Sequence, residues 1–407
     1  MVARLQLTRT GPLRRQVERL FPERPFAVRF WDGTELPATT SADGAPTFAV
    51  RSPRAVGHAL RAPGQLGLGR AYVSGELEVD DLDRLIGVLE DWRPPSLAPG
   101  DRARLLLAAV RANGTTLPPS PPAAELRARG ERHSMRRDAD TVRHHYDLPP
   151  EFFALFLDRS MTYSCAIFSR GAESLEEAQE AKLELVCGKL ELEAGERVLD
   201  VGCGWGSFPI HAASRHGANV LGITLSEPQA RIARERAAEA GVSDRVEIRV
   251  MDYRDLAGER FDAIASIGMV EHVGEERIDL YAERLAALLG SGGRLLNHGI
   301  ARLRHTDPEA GRFSERYVFP DAEPLVLSRV LHALERSGFA TVHVEGFGAD
   351  YAETLSRWAK RLDEHLVEAA LLAGEERLRV WRLYLRSARS GFETGFTSIY
   401  QVLARLA

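Results

Sequence analysis

Residues 198–208 read Val-Leu-Asp-Val-Gly-Cys-Gly-Trp-Gly-Ser-Phe. Positions 198–201 form a short apolar run broken only by Asp200, and glycines follow at 202, 204 and 206. A helical pattern begins at Ser207. Glycine lets the backbone turn sharply and lets a ligand come close to main-chain N–H groups. Strand, glycine turn and helix in that order make a nucleotide-binding device, one that NAD-binding folds also use. The rest of the chain has to separate those readings.

Working outward from that turn, β–α alternation extends over the following 150 or so residues. Strands are expected at 197–201, 219–224, 246–251, 261–267, 293–297 and 341–347, with helices at 176–190, from 207, at 227–240, 276–289 and within 324–337. Repeated strand–helix units imply a parallel sheet covered on both faces. Ligands in such sheets lie beyond the carboxyl ends of the strands. The chemistry should therefore gather at 201–207, 224–229, 252–255, 268–274 and 297–301. Backbone N–H groups of Gly202, Cys203, Gly204 and Gly206 would approach the ligand, with Cys203 contributing backbone only. Thr224, Ser226 and Gln229 follow the second strand, where NAD-type folds usually place an acidic residue. Side-chain oxygens there would accept from ribose hydroxyls; the alternative is a helix cap. Asp252, Tyr253 and Arg254 follow the third strand, where an adenine would stack on Tyr253, unless that ring is a packed edge aromatic.

Composition sets the frame. At 407 residues about two domains are expected. A formal net charge of −5 argues against broad nucleic-acid binding. The three cysteines, Cys165, Cys187 and Cys203, show neither pairing nor metal-ligand spacing, so no metal is expected and a reducing cytoplasm is the natural compartment. Apolar runs are too short to span a bilayer and the N-terminus has no apolar signal-like stretch. Any membrane contact should be peripheral.

Residues 1–95 read as a small α+β domain, with β-rich runs at 25–31 and 47–51 and a helix at 82–89. Residues 96–135 read as a linker around a short helix at 101–112, because prolines crowd its flanks. Between Asp101 and Arg143 lie nine arginines against five acids. That excess is either a solvated connector or a surface for anionic phospholipid headgroups. Residues 136–407 would form the catalytic domain.

Further strings complete the picture: His144-His145-Tyr146-Asp147-Leu148, Met161-Thr162-Tyr163-Ser164-Cys165-Ala166, Gly268-Met269-Val270-Glu271-His272-Val273-Gly274 and Phe347-Gly348-Ala349-Asp350-Tyr351. With the glycine turn, they resemble the cyclopropane-fatty-acyl-phospholipid synthase and mycolic acid methyltransferase family over about 130–405. The resemblance implies an α/β fold of the class I S-adenosylmethionine (SAM)-dependent methyltransferases, Rossmann-like, with a mostly parallel seven-stranded sheet. It implies methyl transfer from SAM to a cis double bond of a phospholipid acyl chain, at a membrane surface, by a homodimer. Tyr163, Ser164, Asp200 and its neighbours in 199–207, and residues 224–229 match SAM contacts. Cys165, Glu271, His298, Ile300 (through its backbone) and Tyr351 match the holders of a bicarbonate ion.

Chemistry makes sense of that set. An alkene is a poor nucleophile, so the electrophile must be strong, and a sulfonium is. Attack leaves a carbocation that water must not reach and from which a base must remove a proton. A captive anion would serve as that base and would stabilise the cation. Each residue also has a plainer reading: Glu271 in an ion pair with His272, His298 as a core histidine, Cys165 as a small buried hydrophobe. Two departures from the family pattern stand out. Gly299 lies where threonine is common, and Ala388 lies where relatives have a cysteine. Ring closure would give a cyclopropane. A hydride shift would give a methylene precursor of methyl-branched acids. A small-molecule methyltransferase and a non-catalytic SAM- or lipid-binding protein are the other classes.

Overall fold

A computed structural model describes residues 10–40, 44–93, 95–114, 118–126, 134, 137, 148–304 and 312–407. The chain forms two compact units. The first comprises residues 1–126 with two later segments, 311–318 and 373–387; the second comprises 127–310, 319–372 and 388–407.

The first unit holds four strands, β1 (Ala27–Arg29), β2 (Glu35–Leu36), β3 (Thr47–Val50) and β4 (Leu77–Val79), in the order β2-β1-β3-β4. The expected boundary at residue 95 does not hold. A helix spans Pro99–Asn113 and buries Ala108, Ala109 and Ala112 among Leu13, Phe30 and Leu36. Prolines on its flanks made it read as part of a connector; small side chains on its inner face let it pack closely. Beyond it, the buried Arg70 guanidinium grips Glu125 through two bonds of 2.6 Å, and Tyr317 donates to the same carboxylate at 3.1 Å. Residues 118–126 are thus tied into this unit rather than left as linker.

The second unit is built on β5 (Arg197–Val201), β6 (Asn219–Thr224), β7 (Val246–Val250), β8 (Phe261–Ile267), β9 (Leu289–Arg302), β10 (Phe339–Gly346) and β11 (Thr397–Leu406). Their order is β10-β11-β9-β8-β5-β6-β7, and only β11 runs against the rest. This is the expected α/β sheet of seven mostly parallel strands. Central β5 is buried on both faces, as parallel strands are: Val198, Leu199 and Val201 are nearly inaccessible. The helix Leu175–Lys189 starts at a capping box in which Ser174 and Glu177 satisfy each other's backbone N–H groups. Ser226 caps Glu227–Glu239, and Gly206 opens Ser207–His216 in the left-handed region at φ 85°. A Cβ at Gly206 would meet Ala233 Cβ at 3.0 Å, so glycine is also needed for helix packing.

One strand differs instructively. β9 continues through His298 and Ile300 to Arg302, because β11 pairs along that length, Ile399 with Ile300 and Gln401 with His298. β8 stops at Ile267, opposite His298. The far half of β9 therefore has a sheet neighbour on one side; on the other the Arg302 N–H donates to Leu325 O at 3.0 Å, and the Ile300 N–H faces no strand.

Candidate active site

The carboxyl ends of the strands bring the expected residues together in two adjoining groups. At the cofactor end, Thr224 Oγ1 donates to Gln229 Oε1 at 3.0 Å and accepts from the N–H of Ser226 at 3.2 Å. Ser226 Oγ accepts from the N–H of Gln229 at 3.4 Å. All three are buried. The glycine turn is less open than its sequence suggests. The N–H groups of Gly202 and Cys203 both donate to Ile223 O (3.0 and 2.9 Å), and that of Gly206 donates to Cys203 O at 2.9 Å. These three amides hold the turn's shape; Gly202 and Gly204, with φ 86° and 52°, admit a ligand by lacking side chains. The Tyr253 ring is buried in the core, edge-to-face against Tyr281 at 5.7 Å, as a packed aromatic would be. Asp252 is chelated by Arg254 at 2.6–2.9 Å.

The Tyr163-Ser164-Cys165 segment is pinned from three sides. Gln179 Nε2 donates to Ser164 O at 2.9 Å, Lys182 Nζ donates to Ser164 Oγ at 3.1 Å, and Thr354 Oγ1 accepts from the N–H of Ala166 at 3.0 Å. Asp350 accepts from the N–H groups of Phe168 and Ser169 (2.6 and 2.7 Å). Gln179, Lys182, Asp350 and Thr354 were not singled out from sequence. Helical spacing of 179 and 182 on Leu175–Lys189 was the available signal, since a Gln and a Lys on the inward face of a helix need polar partners. Lys182 is 1% exposed. Burial lowers its ammonium to about 8, opposed by Asp158, Cys165 and Asp200. Burial raises Asp200 to about 7, opposed by Lys182.

At the other end, Glu271 sits on a short 3₁₀ turn after β8. Its Oε1 accepts from the N–H of Ile300 at 3.2 Å. The resemblance gave the Ile300 backbone to an ion; here its N–H goes to the carboxylate. Burial pushes Glu271 up to about 7. His272 turns away and packs on Phe319 at 5.6 Å. His298 is fully buried, and burial pushes it down to about 3, so the ring is neutral. Gln401 Nε2 lies 3.0 Å from His298 Nδ1; with the amide donating there, the ring proton sits on Nε2. Among the described residues, Glu271 Oε2 and His298 Nε2 are buried without partners.

Phe347 links the remaining members. Its ring lies parallel to that of His298 at 6.4 Å, and its carbonyl accepts from the N–H of Tyr351 (3.0 Å) and, at 3.8 Å, from the Cys165 thiol. Burial, reinforced by Asp350, pushes that thiol well above its ordinary value. Aromatic rings connect the two ends: Trp205 to Phe153 (5.0 Å), Phe153 to Tyr163 (6.0 Å), Tyr163 to Trp358 (5.3 Å), Trp358 to Tyr351 (6.2 Å) and Tyr351 to Phe392 (4.7 Å). Gly299 has a visible reason: a Cβ there would lie 2.2 Å from Val270 Cγ1 and 3.4 Å from Glu271 Oε2. The His144–Asp147 part of the first string lies outside the described residues.

Sheet order, glycine turn and the polar cluster after β6 define a SAM-dependent methyltransferase. Residues 133–402 match the family model for mycolic acid cyclopropane synthetase, and the chain belongs to that family. It is 39% identical over 400 residues to a probable fatty acid methyltransferase of Mycobacterium tuberculosis, covering 94% of this chain and 91% of the relative. It is 33% identical to the cyclopropane-fatty-acyl-phospholipid synthase of Escherichia coli K12, over 84% of this chain and 83% of the relative. Among solved structures, a mycolic acid cyclopropane synthase complexed with SAH and CTAB matches at TM-score 0.63 and 32% identity, covering 66% of this chain and 98% of that one. The protein is a SAM-dependent methyltransferase acting on fatty acyl chains.

Proposed function

We propose that the enzyme methylates the cis double bond of an unsaturated acyl chain carried by membrane phospholipid, giving a cyclopropane fatty acid. The observation that carries this reading is twofold: Glu271 Oε2 and His298 Nε2 are buried without partners among the described residues, and the same unit packs Tyr163, Trp358 and Tyr351 in a row. Buried polar atoms without partners are rare and ask for a polar ligand. An aromatic wall asks for an apolar one. A small anion next to an acyl chain satisfies both.

SAM, held by Tyr163, Ser164 and the residues after β5 and β6, supplies the methyl on a sulfonium. A bicarbonate ion on Glu271 and His298 would supply the base. Neutral His298 donates from Nε2. Glu271, pushed up to about 7, keeps its proton over much of the neutral range and donates from Oε2. Faces of Tyr163, Trp358 and Tyr351 flank the cation that forms in the acyl chain, each contributing roughly 0.5–2 kcal/mol. The same rings exclude water, which would otherwise trap the cation as an alcohol. The protonated Cys165 thiol is no nucleophile, which agrees with direct transfer to the alkene. Gly299 supports a second product, the exocyclic methylene. Val270 closes onto the strand where a threonine side chain would stand, altering the wall beside Glu271.

We also propose that the first unit meets the anionic inner face of the cytoplasmic membrane. In support, the Pro99–Asn113 helix exposes Leu106, Leu107 and Val110 beside Arg102 and Arg111. Among the described residues no helix is long and apolar enough to cross a bilayer. Radiolabelled methyl-SAM with mono-unsaturated phospholipid vesicles tests the reaction. Label in ozone-resistant acyl chains is the expected result, label in ozone-cleavable chains gives the methylene route, and label only in water-soluble acceptors overturns the proposal. Co-sedimentation with anionic vesicles, weakened by Leu107→Asp with Val110→Asp, tests the membrane contact.

A further inference from the structure

The back of the sheet carries a cluster that the methyl-transfer chemistry does not use. Two helices pack there, Leu175–Lys189 and Ser207–His216. Glu184 and Cys187 lie one turn apart on the first; His211 and the terminal His216 lie on the second. His211 Nε2 stands 3.1 Å from Glu184 Oε2, and His216 Nε2 stands 3.2 Å from the same oxygen. Donor atoms of Cys187, His211 and His216 all lie within 4.8 Å of one another. Two imidazole nitrogens and one sulfur therefore lie close together, and a carboxylate oxygen stands against both histidines. We propose that these four side chains form a structural site for a zinc-class divalent ion, tying the two helices together.

The donor chemistry selects the metal. Carboxylate, imidazole and thiolate together suit a borderline ion, and zinc takes four such ligands in a tetrahedron. With zinc–nitrogen and zinc–oxygen bonds near 2.0–2.1 Å, the edges of that tetrahedron measure roughly 3.3 Å. The two glutamate–histidine separations already match it to within a few tenths of an ångström. Side-chain rotation closes the sulfur corner. A plain ion-pair reading accounts for Glu184 and the two histidines but leaves Cys187 out. The thiol is fully buried at the floor of the cluster, walled by Phe208 and Ala212, while His211, His216 and Glu184 form the solvent side, their side chains 10%, 20% and 57% exposed. Ion uptake releases the Cys187 proton and uses Nε2 lone pairs, with the imidazole protons on Nδ1.

The placement gives the ion a purpose. The first helix carries Gln179 and Lys182, which pin Ser164; the second begins at the glycine turn. The four ligands come from two helices, so their spacing in the sequence resembles no metal motif. Cobalt(II) titration of the untagged full-length chain tests the proposal. One equivalent should bind with a thiolate-to-cobalt charge-transfer band and the intense visible absorption of tetrahedral cobalt. Zinc should displace it. Cys187→Ser should abolish the charge-transfer band, and His216→Ala, at the more exposed helix end, should weaken uptake roughly a hundredfold or more. Absence of uptake at tenfold excess, or uptake unchanged in His216→Ala, overturns it.

Discussion

The two ends of the active site are built on opposite principles. At the cofactor end the polar side chains bond one another: Thr224 to Gln229, Ser226 to the Gln229 N–H, Lys182 to Ser164, Asp252 to Arg254. At the other end Glu271 Oε2 and His298 Nε2 are buried with nothing to bond among the described residues. A satisfied network fixes shape before the ligand arrives. An unsatisfied pair instead stores a desolvation cost, on the order of 1–3 kcal/mol per group, which the right ligand removes. The contrast teaches that one end holds its shape through its own hydrogen bonds, while the other keeps two buried polar atoms that the described residues leave without protein partners.

The hardest test of that contrast is Glu271→Gln. Methyl transfer should fall by roughly 10²–10⁴-fold, the usual worth of a proton-handling group. SAM binding, measured by calorimetry, should change little, because the cofactor end does not depend on Glu271. Equal loss of both would merge the two ends into one network. The substitution has a stability signature as well. Burial raises the Glu271 carboxyl above its ordinary 4.5 to about 7. A carboxyl raised in the folded state stabilises the protein in acid, and that contribution is lost as pH climbs from about 4.5 through about 7. By linkage the loss is roughly 3 kcal/mol. Glu271→Gln should therefore gain on the wild type between those pH values in denaturant melts.

Next in size is Gly299→Ala. Its backbone is ordinary extended strand, so the cost is space alone: a Cβ placed 2.2 Å from Val270 Cγ1. Overpacking of this kind costs about 1–3 kcal/mol. Because Val270 and Glu271 share one short turn, activity should fall further than stability does. A thermal melt beside a turnover assay separates the two. If Gly299→Ala melts and turns over like the wild type, the Glu271 end is softer than its packing indicates.

What could be read from sequence follows the same division. Every strand from β5 to β8 lies within one residue of its expected limits, since buried parallel strands announce themselves as apolar runs between glycines and caps. Glu271 and Tyr351 stood in strings specific enough to name, and His298 came from the resemblance those strings carry. Three things were hidden. The helix expected at 101–112 was legible, but its packing into the first unit was not, because it packs with alanines, which carry little periodic signal. β9 runs on to Arg302 because of β11, a partner about a hundred residues away in the chain, and no local pattern states a long-range pairing. Gln179, Lys182 and Gln401 act by holding other residues, a role that depends on what faces them after folding.

Lys182→Met probes the cofactor end directly. The ammonium is charged at neutral pH, donates to Ser164 Oγ and opposes the burial of Asp200. Removing it leaves Ser164 free to rotate and Asp200 without its counter-charge. Asp200, already at about 7, should then hold its proton more tightly. SAM affinity should drop roughly tenfold, one charge-assisted hydrogen bond being worth about 1.5 kcal/mol, with turnover at saturating SAM close to that of the wild type. Lys182→Arg should not rescue fully, because a planar fork does not fit a cavity built for a compact ammonium. A fall in turnover at saturating SAM with affinity intact would move Lys182 from the cofactor end to the reacting end.

The smallest effect should come from Cys165→Ala, and its smallness is the point. Three features define that thiol: complete burial, proximity to Asp350, and backbone acceptors at Ala166 O (3.2 Å) and Phe347 O (3.8 Å). Burial and the Asp350 carboxylate both favour the neutral form, so no thiolate is present to attack a sulfonium or an alkene. What the side chain supplies is volume and a weak hydrogen bond to the carbonyl that also receives the Tyr351 N–H. Loss of one sulfur atom leaves a small cavity, worth roughly 1 kcal/mol, and a slight loosening of Phe347 against His298. Activity should fall by no more than a few-fold, and SAM affinity should hold. A collapse comparable to that of Glu271→Gln would mean that the sulfur touches the reacting species, and the Glu271 end would then have a third polar member that its hydrogen bonds do not reveal.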